Sequence, residues 1–227
     1  VAAQDHRGTH PEGARRLEVK TTFHNRSSRH RLRALFPTDV ACNDWLGDTP
    51  FDVVVRPVRL MDTTGWEEIK REEEPISNFA AAWSPAGGLA IVTRGICEAA
   101  VQDHARRVIA LTVLRSFRQT SYNTRSVDSL LLGTHTVEYA LCPLVGEGED
   151  PLARIVGEIE TYRLPPLTWV GAHAASQAES SATSPLSFIK DAPPARIDTI
   201  KISEDQSAVV VRFHNPTDRE LRFDLEL

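Results

Sequence analysis

Apolar and polar positions alternate with period two along most of this chain. Leu17, Val19, Thr21 and Phe23 alternate with Glu18, Lys20, Thr22 and His24. After turn chemistry at Asn25–Ser28, the residues His30, Leu32, Ala34 and Phe36 alternate with Arg29, Arg31, Arg33 and Leu35. Period two is the repeat of a strand with one buried face. The two runs predict a hairpin that Pro37 closes. Phe51, Val53 and Val55 predict another strand, and Pro57 ends it. Further strands are expected over Phe79–Trp83, Leu89–Thr93, Val108–Phe117, Thr134–Leu141 and Ile155–Tyr162, with Gly87-Gly88 as a hairpin turn. Trp66 to Glu74 passes for a short helix, although it is brief and heavily charged, and Pro75 stops it. Nothing else reads as a helix, and no repeat is visible.

Val108–Phe117 differs from the other runs because it is apolar on both faces. Such a strand is expected in the middle of a buried sheet. Arg115 near its end cannot lose its charge and must find partners. By period two it shares a face with Ile109, Leu111 and Val113. Two readings stay open. One is a buried arginine satisfied by a carboxylate and carbonyls. The other is a donor fork aimed into a cleft at hydroxyls or a carboxylate.

Many short strands punctuated by Gly and Pro predict an all-β fold, a large antiparallel β-sandwich. Residues 1–16 are expected as a flexible N-terminal segment and 17–172 as the main sandwich. Residues 173–190 are small and polar, which suits a linker or loop. Over 191–227 a second, smaller β pattern begins: Ile197, Ile200 and Ile202, then Val209, Val211 and Phe213, then Leu221, Phe223, Leu225 and Leu227. The sequence stops within this last alternation, which suggests a fragment.

At 227 residues the chain should bury about 70% of its unfolded surface, enough to fold without staples. A net charge of −5 argues against a nucleic-acid surface or adhesion to anionic membrane. No apolar run approaches the ~20 residues of a membrane span. The start shows no apolar signal core. Cys42, Cys97 and Cys142 are odd in number and widely spaced, which is neither a disulfide framework nor a zinc knuckle. Free, mostly buried thiols in a reducing, cytoplasmic compartment are the expectation. Asn25-Arg26-Ser27 fits a glycosylation acceptor only if the chain is secreted.

No nucleophile elbow, HExxH, P-loop or GxGxxG is present. His6 and His10 are four apart, but in a Gly/Pro-containing tail. The acidic clusters Glu67-Glu68 and Glu72–Glu74 read as a solvated face. Glu98, Glu138 and Asp103 stand singly. The stripe of Arg29, Arg31 and Arg33 reads as an outer face or a face that meets another domain. Trp45, Trp66, Trp83 and Trp169 serve either as core filler or as stacking surfaces for sugar rings.

Several segments in order resemble the C-terminal β region of family 38 glycoside hydrolases, the retaining α-mannosidases and related mannosylglycerate hydrolases. They are 30–38 (HRLRALFPT), 51–56 (FDVVVR), 66–67 (WE), 88–95 (GLAIVTRG), 109–116 (IALTVLRS) and 133–141 (GTHTVEYAL). The tail fits too, with 200–205 (IKISED) and 211–217 (VRFHNPT) like a following small β domain. The resemblance spans most of residues 17–220. It implies a galactose-mutarotase-like sandwich. It also implies that the nucleophilic aspartate and the zinc ligands lie on an N-terminal catalytic domain, since nothing here matches those motifs. No catalytic residue or metal ligand is therefore assigned, and no cofactor is expected on this fragment. The resemblance implies that this region lines the active site, with Arg115 as its closest match to a substrate-contacting arginine. His135 and Glu138 follow as further substrate-binding candidates. The implied partners are the catalytic domain and a mannoside substrate. The alternative is a stand-alone carbohydrate-binding or scaffolding module. A third reading is a self-sufficient mutarotase-like enzyme using His135 and a carboxylate.

Overall fold

A computed structural model of the chain describes residues 2–9, 15–118, 128–146, 148, 150–164, 195–215 and 219–224. Expectations for His10, Trp169, the 173–190 linker, residues 216–218, Leu225 and Leu227 lie outside these. The chain divides into two compact units, Val1–Leu164 and Pro165–Leu227.

The first unit holds eleven strands among its described residues: β1 (Ala2–Thr9), β2 (Leu17–Asn25), β3 (His30–Pro37), β4 (Asp44–Thr49), β5 (Asp52–Pro57), β6 (Glu74–Pro75), β7 (Phe79–Ser84), β8 (Gly87–Arg94), β9 (Glu98–Gln102), β10 (Val108–Ser116) and β11 (Gly133–Val145). A helix, α1 (Pro151–Arg163), follows. Seven strands form one antiparallel sheet in the order β1-β2-β11-β8-β7-β4-β5, and four form a second in the order β3-β10-β9-β6. The main core lies between the sheets. Trp45, Ala80, Ala82, Ile91 and Tyr139 of the larger sheet meet Ala99, Val101, Ile109 and Leu111 of the smaller. This is the antiparallel sandwich expected from the alternation.

Strand β7 shows why the larger sheet needs a third layer. Ala80 and Ala82 face the sandwich core, whereas Phe79 and Ala81 face the other side. That second side is covered by Ile155, Ile159 and Tyr162 of α1, which pack on Ala90, Val92, Ala140, Cys142 and Leu144. The spacing i, i+4, i+7 is one stripe of a helix. Asp150 caps the helix by accepting from the Leu152 and Ala153 amides, and Pro151 sits in its first turn. The expectation of a strand over Ile155–Tyr162 is thereby overturned, because helical periodicity and a proper N-cap outweigh its β-branched content.

Four other expectations change. β2 and β3 do not form a hairpin: β2 pairs with β1 and β11, whereas β3 pairs with β10 in the other sheet. The chain crosses between sheets at Asn25–Arg29. Asn25 is buried there and donates to the Leu131 and Leu130 carbonyls, while Arg29 takes a left-handed φ of 57°. Ala2–Thr9, expected within a flexible segment, is a strand paired along β2. Trp66–Glu74 forms turns and a short bridge and no helix. The turn between β7 and β8 is made by Pro85-Ala86, with Gly87 already in the ladder opposite Ser84.

Gly47 on β4 marks a close approach. A Cβ there would lie 2.8 Å from the Trp45 ring and would also meet the Arg56 guanidinium. That guanidinium stacks over Trp45 at 5.1 Å and donates to the Pro75 carbonyl. Trp45 is therefore core, and Trp66 is exposed.

In the second unit β12 (Arg196–Ile202) pairs with β13 (Val209–His214), as the alternation predicts. The turn between them is organised by Asp205. Hydrogen bonds from Ser203 and then Ser207 hold its carboxyl down to about 2. Phe213 and Phe223 meet edge to face at 5.5 Å.

Candidate functional site

Arg115 lies on the central strand of the smaller sheet, but it is not buried. A bulge between Thr112 and Leu114 inserts Val113 into β10, so two residues there oppose one on β3. The alternation slips by one. Ile109 and Leu111 face the sandwich core, and beyond the bulge Leu114 and Ser116 turn inward. Arg115 therefore leaves the face of Ile109 and Leu111 and comes opposite Arg31. Its side chain is 57% exposed, and Nη1 donates to Glu98 Oε2 at 3.0 Å. The expectation of a buried arginine fails because a bulge is invisible to period-two counting.

Two cavities adjoin it. One, of about 420 Å³, is bounded by Arg94–Glu98, Thr112–Arg115, Thr136 and Val137. The other, of about 550 Å³, is lined by Arg29, His30, Arg31, Arg115, Ser116, Phe117 and Arg118. Arg115 stands on the wall of both, so its guanidinium can reach a ligand in either. Cys97 borders the smaller cavity and is exposed, contrary to the expectation of mostly buried thiols. Cys42 is half-buried. Cys142 is fully buried, and desolvation pushes its thiol up to about 12.

His135 and Glu138 are not brought to this site. They are three apart on β11, so they point to opposite faces of the sheet. His135 lies across from Phe23, with ring centroids 5.7 Å apart, and its Nε2 is 2.7 Å from the Leu131 carbonyl oxygen. Glu138 accepts from Arg94 at 3.0 Å and lies 3.3 Å from Lys20. The Arg94 hydrogen bond, helped by Lys20 against a desolvation penalty, holds its carboxyl below the ordinary value. It lines a separate cavity of about 200 Å³ with Arg7, Lys20 and Tyr162. Because His135 and Glu138 face apart, they do not form an acid/base pair.

Sequence reading missed two charge networks. On the outer face of the smaller sheet, Arg31 and Arg33 both bind Glu73, and Arg31 also approaches Glu98 at 3.7 Å. Arg31 and Arg33 of the basic stripe are thus neutralised by the acidic run across about forty residues of sequence. Under α1, Arg16 binds Glu158 at 2.9 Å, and Arg154 binds the same carboxylate. Burial opposes ionisation of Glu158, but the hydrogen bonds from Arg16 and Arg154 outweigh it and lower its pKa. Tyr162 sits between Arg94, 4.0 Å from its ring centroid, and Arg16 at 5.5 Å. The i, i+4 pair Arg154–Glu158 was the one legible signal, had the helix been assigned.

Among the described residues no group of three or more His, Cys, Asp or Glu could hold a metal ion. Glu73, Glu98, Glu138 and Glu158 are each engaged by an arginine.

No family model matches the chain, and no curated protein matches it. Among solved structures it is similar to an alpha-mannosidase from Enterococcus faecalis V583, with a TM-score of 0.74 and 23% identity over 92% of this chain. It is also similar to a protein of glycosyl hydrolase family 38 from Enterococcus faecalis, with a TM-score of 0.71 and 21% identity over 93% of this chain. The chain spans 23% and 24% of the lengths of those two proteins. At these identities the likeness establishes a shared fold.

Proposed function

We propose that this chain is the C-terminal β-sandwich part of a retaining α-mannosidase-type glycoside hydrolase of family 38. The observation that supports it most is the agreement of two separate lines. Segments resembling that family occur in order along the sequence, and the fold of nearly the whole chain superimposes on about a quarter of two larger proteins of that kind. In this reading the nucleophilic aspartate and a zinc ion that binds sugar hydroxyls belong to a catalytic domain on the same polypeptide. The residues described here do not fit a metal, so none of their roles runs through one.

What this chain would contribute is a wall. The rigid three-layer body holds the bulged end of β10 in place. From there Arg115 presents a guanidinium, anchored on one side by Glu98, to a mannoside in the adjoining cleft. A fork fixed by a carboxylate loses less freedom on binding hydroxyls than a free arginine does. His135 and Glu138 would play no direct part at that cleft, since one is stacked on Phe23 and the other is bound by Arg94. Free thiols fit a reducing, cytoplasmic setting.

The test is to assay the 227-residue chain and its full-length parent on an aryl α-mannoside. Turnover by the parent alone is expected. Turnover by the purified 227-residue chain would overturn the placement of the chemistry outside it.

A further inference from the structure

We propose that the 550 Å³ cavity at the open end of β3 and β10 is a binding site for a small oxyanion group, a carboxylate or a phosphate. Arg115 and Arg31 lie directly opposite across the strands, as do Ser116 and His30. Like charges in that relation repel. Glu98 relieves them: it binds Arg115 at 3.0 Å and lies 3.7 Å from Arg31, while Glu73 also binds Arg31. Arg29 and Arg118 have no such relief. Both are exposed, both line the cavity, and among the described residues neither has an ion-pair partner. Among the described residues no acidic side chain lines the cavity.

One further observation points the same way. Arg29 is held in the left-handed region at φ 57°, a conformation that non-glycine residues seldom adopt and that is enriched at ligand sites. The cavity therefore holds two surplus guanidiniums. Guanidinium forks match the geometry of carboxylate and phosphate oxygens. The size suits a sugar-sized ligand, and the chain's net charge of −5 does not suit a polyanion. The inference stands apart from the mannosidase reading, since it concerns binding by this chain alone.

The experiment is calorimetric titration of the 227-residue chain at constant ionic strength. The probes are inorganic phosphate, acetate, methyl α-glucuronoside and the neutral methyl α-mannoside. Saturable anion binding at about millimolar dissociation constants is expected. The double variant Arg29→Ser/Arg118→Ser should weaken it at least about tenfold. Arg33→Ser, on the same sheet but outside the cavity, should leave it unchanged. Tighter binding of the glucuronoside than of acetate and phosphate identifies an anion carried on a sugar; tighter binding of phosphate or acetate identifies a free anion. The proposal is overturned if no anion binds saturably, if the double variant binds as well as the parent, if Arg33→Ser loses as much, or if the neutral mannoside binds as tightly as the anions.

Discussion

Two clusters of arginines and glutamates sit on opposite sides of the first unit, and they are built differently. Under α1, Arg16 and Glu158 are 8% and 5% exposed, and Glu158 is bound by two guanidiniums. On the smaller sheet, Arg115 is more than half exposed, and Arg29 and Arg118 stand at a cavity whose described lining holds no acidic side chain. A buried, saturated network fixes one element on another and has nothing left to offer a ligand. An exposed network with surplus cations leaves donors over. The first cluster holds the architecture together, and the second supplies the free cations on which the proposed binding rests.

Breaking the buried cluster should have the largest effect. Glu158→Ala takes the carboxylate from buried Arg154 and leaves Arg16 with Glu18 alone, and a loss of about 3 kcal/mol is expected. Urea unfolding of the chain checks it; a loss as small as that of an exposed pair would contradict the architectural role. Ile155→Ala removes the deepest residue of α1 from its seat on Ala140 and Cys142, with an expected cost of about 2–5 kcal/mol in the same assay.

Acid should sharpen the contrast. Glu158 and Glu138 are held below their ordinary value of 4.5. Groups depressed in the folded state contribute stability that is fully present above that value and is lost as pH falls through the lowered one. The thermal midpoint should be flat from neutrality to about pH 5 and fall below 4.5. Glu158→Gln should have a lower midpoint at neutrality and a shallower acid slope. An unchanged slope would show that its carboxylate is not held down. The smallest effect on stability is expected from Arg115→Ala, within about 0.5 kcal/mol, since an exposed pair contributes little. A larger loss would place Arg115 with the architectural arginines.

Much of the sandwich was legible in period-two alternation, because a strand such as β2 buries Thr21, Phe23 and Asn25 and leaves the residues between them more exposed. Strand β10, buried on both faces, was legible as a continuous apolar run. What escaped depends on information that alternation does not carry. The bulge at Val113 moves Arg115 to another face without changing a residue. The partner β11 of β2 lies more than a hundred residues away, and the partner β10 of β3 more than seventy. The helix was concealed by Ile, Val and Tyr content, although Asp150-Pro151 announces its start. At the candidate site Arg115 was legible as an arginine in need of partners. Its carboxylate, Glu98, was noticed but could not be paired, and Arg118 drew no attention because the end of an apolar run looks like a boundary.

The central claim is that exposed, anchored Arg115 serves a substrate held by a catalytic domain on the same polypeptide. The direct measurement is kcat/KM of the full-length parent on an aryl α-mannoside, for Arg115→Ala against the unaltered protein, with the thermal midpoint recorded for both. A fall of at least about tenfold at an unchanged midpoint is the expected result. An unchanged kcat/KM at an unchanged midpoint would contradict the claim.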